Sequence, residues 1–249
     1  MIRADVLIAL RGHVSSRTLA AKLIKEGRVF ADGAMISKPS LEIPEFCEIV
    51  IKDSPLTRYV GRGGLKLEAA LESFGVDPAG RVCADIGAST GGFTDCLLKR
   101  GAKKVYAVDV GTAQLHPSLR FDRRVVCMEN TDARSLTAAD MPDGPDLLVS
   151  DLSFISQTLL HAKFFELLPD GGELITLIKP QFECGREFLG KNGVVKSDIA
   201  VTRAVDKVLL SAKLAGFEDI ATAPSPIEGG SGNREILMFA KKTSRTVNR

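Results

Sequence analysis

The sequence contains no tryptophan, two tyrosines and three histidines in 249 residues. This scarcity leaves little material for a histidine-based nucleophilic triad or for a large aromatic platform that stacks nucleic-acid bases. The five cysteines are odd in number, lie far apart and form no Cys-x-x-Cys pair. That pattern argues against both a disulfide framework and a zinc site, so we expect no metal.

Long hydrophobic runs are also missing. No stretch of about 18 apolar residues occurs, and the segment from Met1 to Val14 is too short and too interrupted by charge for a signal peptide. We therefore expect a soluble, cytoplasmic protein with no membrane partner. With 45% apolar and 26% charged residues, the chain has material for one α/β core and a smaller module.

Positive charge is concentrated at the start of the chain. The net charge of +2 is too small to indicate nucleic acid by itself, but residues 1–41 contain seven Lys or Arg and three acidic residues. Ser15 and Ser16 are candidate caps of a helix that ends at Gly27. The basic side chains near this helix fall largely on its polar side, and they are Arg17, Lys22, Lys25 and Arg28. Short strands around the Asp32-Gly33 turn complete a small α+β unit.

The pattern changes at residue 59 to a long alternation of strands and helices. Such alternation predicts a parallel sheet covered by helices on both faces. Strands are predicted near residues 81–86, 104–109, 124–128, 146–150, 173–178, 217–222 and 235–240. We therefore divide the chain into an N-terminal domain (1–52), a linker (53–59), an α/β domain (60–242) and a polar tail (243–249).

A glycine-rich turn follows the first predicted strand of the α/β domain. Its spacing, Gly-x-x-x-Gly-Gly, departs from the Gly-x-Gly-x-x-Gly of dinucleotide-binding folds and lacks the lysine of a P-loop. An acidic residue just before the first glycine suits a ligand with an ammonium group, such as S-adenosylmethionine. The cofactor contacts expected from this turn are Asp85, Gly87, Ser89, Thr90, Gly91, Gly92 and Phe93.

Two further acidic residues follow the next strands. Asp109 ends a buried strand, where its carboxylate can accept hydrogen bonds from a ribose diol. Asp132 follows the third strand and could accept a hydrogen bond from the adenine amino group. These two positions complete the predicted cofactor site.

Five motifs, spread over nearly the whole chain, resemble the haemolysin A (TlyA) family. They are Tyr59 to Leu67, Asp85 to Asp95, Ser150 to Phe154, Ile178 to Glu183 and Gly232 to Glu235. That family joins an RNA-binding domain named after ribosomal protein S4 to a methyltransferase domain similar to FtsJ. The resemblance implies a Rossmann-like fold that uses S-adenosylmethionine to methylate a ribose 2′-hydroxyl, of cytidine in small- or large-subunit rRNA or both.

The resemblance also implies RNA contacts and a catalytic set. Residues 3–52 are similar to the RNA-binding domain, so rRNA or a ribosomal subunit is the expected partner. The expected RNA contacts are Arg3, Arg17, Lys22, Lys25, Arg28 and Arg62. FtsJ-like ribose methyltransferases use a Lys-Asp-Lys-Glu set, and the matching positions are Lys66, Asp151, Lys179 and Glu235.

Topology makes this catalytic set plausible without the family. Asp151 and Lys179 follow the fourth and fifth parallel strands, which places both at the carboxyl edge of the sheet. If the last strand is antiparallel and lies beside the fifth, Glu235 at its start reaches the same edge. Lys66 must then fold back over the site from the helix before the first strand.

The chemistry requires these residue types, because a ribose hydroxyl is a poor nucleophile that must lose its proton as it attacks a methyl group. A positive charge beside the oxygen favours its alkoxide character, and a neutral amine can accept the proton. We expect Lys179 to accept the proton and Asp151 to position Lys179 and the methyl donor. Lys66 and Glu235 are expected to orient and polarise the hydroxyl. The long connection at 180–198 is expected to lie over the substrate.

Three other functions remain as alternatives. The family name suggests a membrane-active cytolysin, but no secretion signal or spanning helix supports it. A non-catalytic ribosome assembly factor is disfavoured because the glycine-rich turn and all four positions of the catalytic set are present. Methylation of a base is disfavoured because no Asn-Pro-Pro-Tyr-like motif follows the fourth strand.

Overall fold

The computed structural model describes residues 1–14, 16–229 and 232–243. Ser15, a predicted helix cap, and residues 244–249 of the predicted polar tail lie outside the described residues. The chain divides into two compact units, Met1–Arg62 and Gly63–Arg249. This division falls just after the predicted linker, while the finer domain limits stay a prediction.

The N-terminal unit is the expected small α+β module. Its elements are β1 (Ile2–Arg3), α1 (Ala4–Leu10), α2 (Arg17–Lys25), β2 (Val29–Ala31), β3 (Ala34–Met35), β4 (Glu42–Ile43) and β5 (Ile49–Ile51). The side chain of Ser16 caps α2 by accepting a hydrogen bond from the Leu19 backbone. The β1–β4 pair was not foreseen, because two-residue strands carry almost no periodic signal.

The second unit begins with α3 (Gly63–Phe74) and then alternates strands with helices or turns. Its further elements are β6 (Val82–Ile86), α4 (Gly92–Lys99), β7 (Lys104–Val108), α5 (Pro117–Arg120), β8 (Val125–Met128), β9 (Leu147–Ser150), α6 (His161–Leu167), β10 (Glu173–Ile178), α7 (Pro180–Glu183), α8 (Asp198–Ala215), β11 (Phe217–Pro224) and β12 (Ile236–Lys242). All seven predicted strands are present.

These seven strands form one sheet in the order β11-β12-β10-β9-β6-β7-β8. The five strands from β10 to β8 are parallel, and β12 runs antiparallel beside β10. The chain order therefore reverses between β6 and β9, which in open α/β sheets marks the place where ligands bind, at the carboxyl ends of the strands. This confirms the predicted sheet and the predicted direction and neighbour of its last strand.

Both faces of the sheet are covered. Alternate residues of β6 point to opposite faces, and both Cys83 and Ala84 are fully buried. Ala84 belongs to a core cluster with Phe164 of α6 and Val208 of α8, while α4 contacts β6 and β7.

One predicted helix is divided. The sequence predicts a single helix over residues 155–168, but the structure has a 3-10 turn at Gln157–Leu159 followed by α6. The Ser156 side chain accepts a hydrogen bond from the Thr158 backbone and so starts the short turn separately. Among the described residues, no helix is long and apolar enough to cross a membrane.

Candidate active site

Four side chains from distant parts of the second unit form one cluster at the carboxyl edge of the sheet. Lys66 Nζ lies 2.5 Å from Glu235 Oε2 and 3.6 Å from Asp151 Oδ2. Lys179 Nζ lies 2.6 Å from Asp151 Oδ1 and donates a hydrogen bond to Ser153 Oγ at 2.9 Å. The structure therefore brings together the four predicted catalytic residues, with Asp151 between the two lysines.

Local geometry explains how the two outer members reach the cluster. Lys66 lies in the first turn of α3, where Gly63 permits a close approach: a Cβ there would lie 3.3 Å from a Phe93 ring carbon and 3.8 Å from Asp151 Oδ2. Glu235 immediately precedes β12, and a Cβ at Gly229 would overlap its carboxylate. Glycine at both positions lets backbone pass beside the charged side chains.

The cluster is shielded from solvent and balanced in charge. Lys66, Lys179 and Glu235 are at most 8% exposed, while Asp151 is half-buried. Two lysines and two carboxylates leave no net formal charge, which limits the cost of burial. A buried network of this kind holds its amines in fixed directions.

A cavity of about 470 Å³ adjoins the cluster and shares Asp151 with it. It opens where β6, β7 and β9 end, at the place where the strand order reverses, and its size falls in the range of small-molecule sites. Four predicted cofactor residues line it, namely Gly87, Ser89, Asp109 and Asp132. The others, Asp85, Thr90, Gly91, Gly92 and Phe93, are not among its lining residues.

Asp85 lies beneath the glycine-rich turn and is fully buried. Its Oδ2 accepts hydrogen bonds from the Thr94 backbone at 2.9 Å and from Thr94 Oγ1 at 2.6 Å. Its Oδ1 is buried without a hydrogen-bond partner among the described residues. Burial raises the pKa of this carboxyl to about 7. An unpaired buried carboxylate oxygen is suited to a cationic donor.

Gly91 has a packing role that the sequence did not reveal. Its φ is +97°, and it precedes the first residue of α4. A Cβ there would overlap the side chains of Leu119 and Leu115 rather than project into the cavity. Phe93 is likewise buried, at 3% exposure. These residues shape the turn by packing.

The two acids after β7 and β8 have different surroundings. Asp109 accepts hydrogen bonds from the Ser89 and Gly111 backbones, both at 2.7 Å. Asp132 accepts from the Arg134 backbone and side chain, and these bonds hold its pKa down at about 2. An adenine amino group would therefore share Asp132 with an arginine.

Sequence reasoning missed an aromatic pair at the rim of the cavity. Phe154 is 91% exposed, lines the cavity and has a φ of +65°. Its ring centroid lies 5.2 Å from that of Phe182. A signal was available, because each phenylalanine follows a member of the catalytic set by three positions at the ends of neighbouring strands.

The connection at 180–198 is tied down at two points. The Glu183 side chain is buried and accepts hydrogen bonds from Ser156 Oγ at 2.5 Å and the Gln157 backbone at 2.9 Å. Asn233 accepts from the Val195 backbone at 2.9 Å. The basic residues of this connection are exposed, and they are Arg186, Lys191 and Lys196.

In the N-terminal unit, two of the predicted RNA contacts share one buried acid. Arg3 donates to Asp5 through Nε at 3.0 Å, and Arg17 donates through Nη2 at 3.1 Å. The two arginine side chains remain about half exposed, at 48% and 60%. The other predicted RNA contacts, Lys22, Lys25, Arg28 and Arg62, are exposed.

Comparison with known proteins gives matches to both units. Residues 59–242 match the model of the FtsJ-like methyltransferases, and residues 2–46 match that of the S4 domain. The 16S/23S rRNA (cytidine-2′-O)-methyltransferase TlyA of Mycobacterium tuberculosis is 39% identical, over 98% of this chain and 92% of the relative. Hemolysin A of Brachyspira hyodysenteriae is 40% identical, over 95% of this chain and 98% of the relative. The structure of a candidate haemolysin of Streptococcus thermophilus has a TM-score of 0.77 and 42% identity, and covers 97% of this chain and 88% of that one.

Proposed function

We propose a function for this chain from its family, since it belongs to the FtsJ-like methyltransferases and, with its N-terminal S4 domain, to the TlyA family. The chain is an enzyme that transfers a methyl group from S-adenosylmethionine to a ribose 2′-hydroxyl of rRNA, at cytidine. The observation that carries this proposal is the buried cluster of Lys66, Asp151, Lys179 and Glu235 beside a cavity at the switch point of the sheet.

The cavity suits the cofactor. We assign the ribose hydroxyls to Asp109, which lines the cavity, and the amino group to the unpaired oxygen of Asp85. Gly87, with a φ of +88°, lets backbone line the space without a side chain. Ser89 and Asp132 contribute further polar groups, while Thr90, Gly91, Gly92 and Phe93 act by forming the turn. When bound, the cofactor supplies an electrophilic methyl group on a sulfonium.

The charged cluster handles the proton of the target hydroxyl. Lys179 accepts the proton from the ribose 2′-oxygen as that oxygen forms its bond to the methyl carbon, which requires that the amine has first lost the proton it carries in the ion pair with Asp151. Asp151 and Ser153 hold Lys179 Nζ in place from two directions. Lys66, anchored by Glu235, places positive charge where the oxygen becomes anionic. The bound cofactor would supply that methyl group from its sulfonium and would keep the electrons of the carbon–sulfur bond as a neutral thioether.

RNA binding is shared between the two units. The S4 domain match covers the exposed basic residues of α2, whose phosphate contacts give affinity without sequence information. Phe154, which is exposed and packs against the half-buried Phe182, is suited to stack on an unpaired base near the target. A cytoplasmic location would follow from a ribosomal substrate. We propose residues 1–52 as the RNA-binding domain and 60–242 as the catalytic domain.

The test is methyl transfer to ribosomal subunits and free rRNA from cells that lack this protein. Isotopically labelled S-adenosylmethionine would mark the product, and resistance of the adjacent phosphodiester to alkali would place the label on a 2′-oxygen. We expect one or more alkali-resistant cytidines. Label on a base, or no transfer with protein shown to bind the cofactor, would contradict the proposal.

A further inference from the structure

A carboxylate that the mechanism does not use lies under one wall of the cavity. Glu129, just after β8, accepts hydrogen bonds from three successive backbone N–H groups, those of Ala113, Gln114 and Leu115, at 2.7, 2.8 and 3.0 Å. Arg120 pairs with the same carboxylate at 2.6 Å. One side chain thus holds a complete turn of the loop that follows β7.

The backbone conformation of this loop is intrinsically unfavourable. Ala113 has a φ of +53°, a region that residues with a Cβ seldom adopt, so the turn needs outside support. Glu129 provides it from a largely buried position, since its side chain is 11% exposed. The hydrogen bonds from the Leu115 backbone and Arg120 hold the pKa of Glu129 down at about 2. Glu129 is therefore ionised at neutral pH.

The supported turn carries Gln114 into the cavity wall. A Cβ built on Gly111 would overlap the Gln114 side-chain amide and would lie 3.1 Å from Asp109 Oδ1. The amide thus lies over Gly111, beside the carboxylate assigned to the ribose, and both Gln114 and Asp109 line the cavity. An amide next to a carboxylate offers the donor and acceptor pattern that a ribose diol or an adenine edge requires.

We propose that Gln114 is a further cofactor-binding residue that contacts the adenosine half of S-adenosylmethionine, and that Glu129 is the positioning residue that holds Gln114 there. This inference rests on the proposed function, because it assigns the cavity to that cofactor. It predicts that Glu129 and Gln114 contribute to the same contact. The alternative, in which Glu129 only stabilises the fold, predicts independent effects.

The experiment is a double-mutant cycle on full-length protein, measured by calorimetry with S-adenosylmethionine and with 5′-methylthioadenosine, which lacks the amino acid part. Gln114→Ala should weaken both ligands by about fivefold to tenfold, the effect of a lost hydrogen bond. Glu129→Ala should weaken both by a similar or larger factor. The double variant should be no weaker than the weaker single variant, because the contact is already lost.

Controls separate binding from folding and from the proposed function. Glu166→Ala removes a mostly exposed acid from α6 and should leave both affinities unchanged. If Glu129→Ala does not fold, Glu129→Gln, which keeps one acceptor oxygen, replaces it in the cycle. Failure of the parental protein to bind S-adenosylmethionine would contradict the proposed function. Two results would overturn this inference alone, provided that the parental protein binds S-adenosylmethionine. One is an unchanged affinity in Gln114→Ala, and the other is a loss of affinity in the double variant equal to the product of the losses in the two single variants.

Discussion

Lys66 and Glu235 are separated by 169 positions in the chain, yet Nζ of one lies 2.5 Å from Oε2 of the other. Counted over side-chain atoms alone, Lys66 is 9% and Glu235 3% exposed, so both are buried. An ion pair in such a place depends on both partners, because removing one leaves the other as a buried charge. The pair also joins α3 to the start of β12, so it couples the integrity of the site to that of the fold.

The first prediction concerns this pair. Glu235→Ala should lower the free energy of unfolding by about 3 kcal/mol. This value is near the lower end of the destabilisation expected when a buried ion pair is broken, because Asp151 remains close to Lys66. Glu235→Gln should cost less, since the amide can still accept a hydrogen bond from Lys66. Urea unfolding at neutral pH measures both. The same two variants should lose methyl transfer, and parental stability with parental activity in Glu235→Ala would contradict the arrangement.

The second prediction separates chemistry from binding. Lys179→Ala should reduce methyl transfer by at least about a hundredfold, the lower range for loss of a general base, while cofactor affinity stays near parental. Lys163→Ala, on α6 and paired with Glu166, is the matched control and should keep full activity. Single-turnover transfer of labelled methyl groups and calorimetry together measure the two quantities. Near-parental turnover in Lys179→Ala would show that Lys179 does not accept the proton.

The fold and the charged cluster could be predicted from the sequence because both depend on strand order. Once Asp151 and Lys179 follow the fourth and fifth parallel strands, the carboxyl edge brings them together. Gly91 shows what such reasoning cannot supply. Its neighbours Leu115 and Leu119 come from another segment, so a glycine needed for packing looks the same in the sequence as one needed for a ligand.

Glu129 and Phe154 were missed for similar reasons. Glu129 gains its importance from backbone N–H groups fourteen to sixteen positions away, and such contacts follow no short-range pattern. Phe154 is exposed with a positive φ, whereas an isolated phenylalanine in a sequence is usually read as a core residue.

The third prediction concerns the pH dependence of cofactor binding. The pKa of Asp85 is raised to about 7 by burial, so in the free protein this carboxyl gains a proton as the pH falls below that value. An ammonium ligand requires the ionised form, and binding must then release the proton. Affinity should fall by about fivefold between pH 7 and pH 6, a range in which the ligand's own amino group, with an ordinary pKa of about 7.7 to 8.0, stays largely protonated. Calorimetry measures the affinity, and Asp85→Asn should bind weakly with a flat profile; an equally steep profile in that variant would exclude Asp85.

The fourth prediction concerns His161, which is 1% exposed and contacts Ser211 Oγ at 2.9 Å through Nδ1. Burial lowers its pKa from 6.5 to about 4. The unfolded chain therefore binds more protons between these values, so stability falls as the pH falls through this window. The contribution reaches about 3 kcal/mol at the acid end. Urea unfolding measures the free energy of unfolding at each pH. Between pH 7 and pH 4 this free energy should fall less in His161→Gln than in the parental protein. The same pH dependence in both proteins would contradict the prediction.

The fifth prediction concerns the N-terminal unit and its RNA contacts. Lys22 and Lys25 are exposed on α2, where they can meet phosphates, and phosphate contacts of this kind weaken steeply as salt rises. Lys22→Glu in the full chain should therefore weaken rRNA binding and flatten its salt dependence by about one unit of slope per lost contact. Arg17→Gln should act in the same direction, and it leaves Asp5 paired with Arg3.

Cofactor affinity should not change in either variant, because the assigned cofactor residues all belong to the second unit. Lys163→Glu is the control for a charge reversal outside the predicted RNA contacts. Filter binding across a salt series measures affinity and slope together. If Lys22→Glu and Arg17→Gln both bind rRNA with the parental affinity and slope, the basic side of α2 does not hold the RNA, and the N-terminal unit must act by other residues.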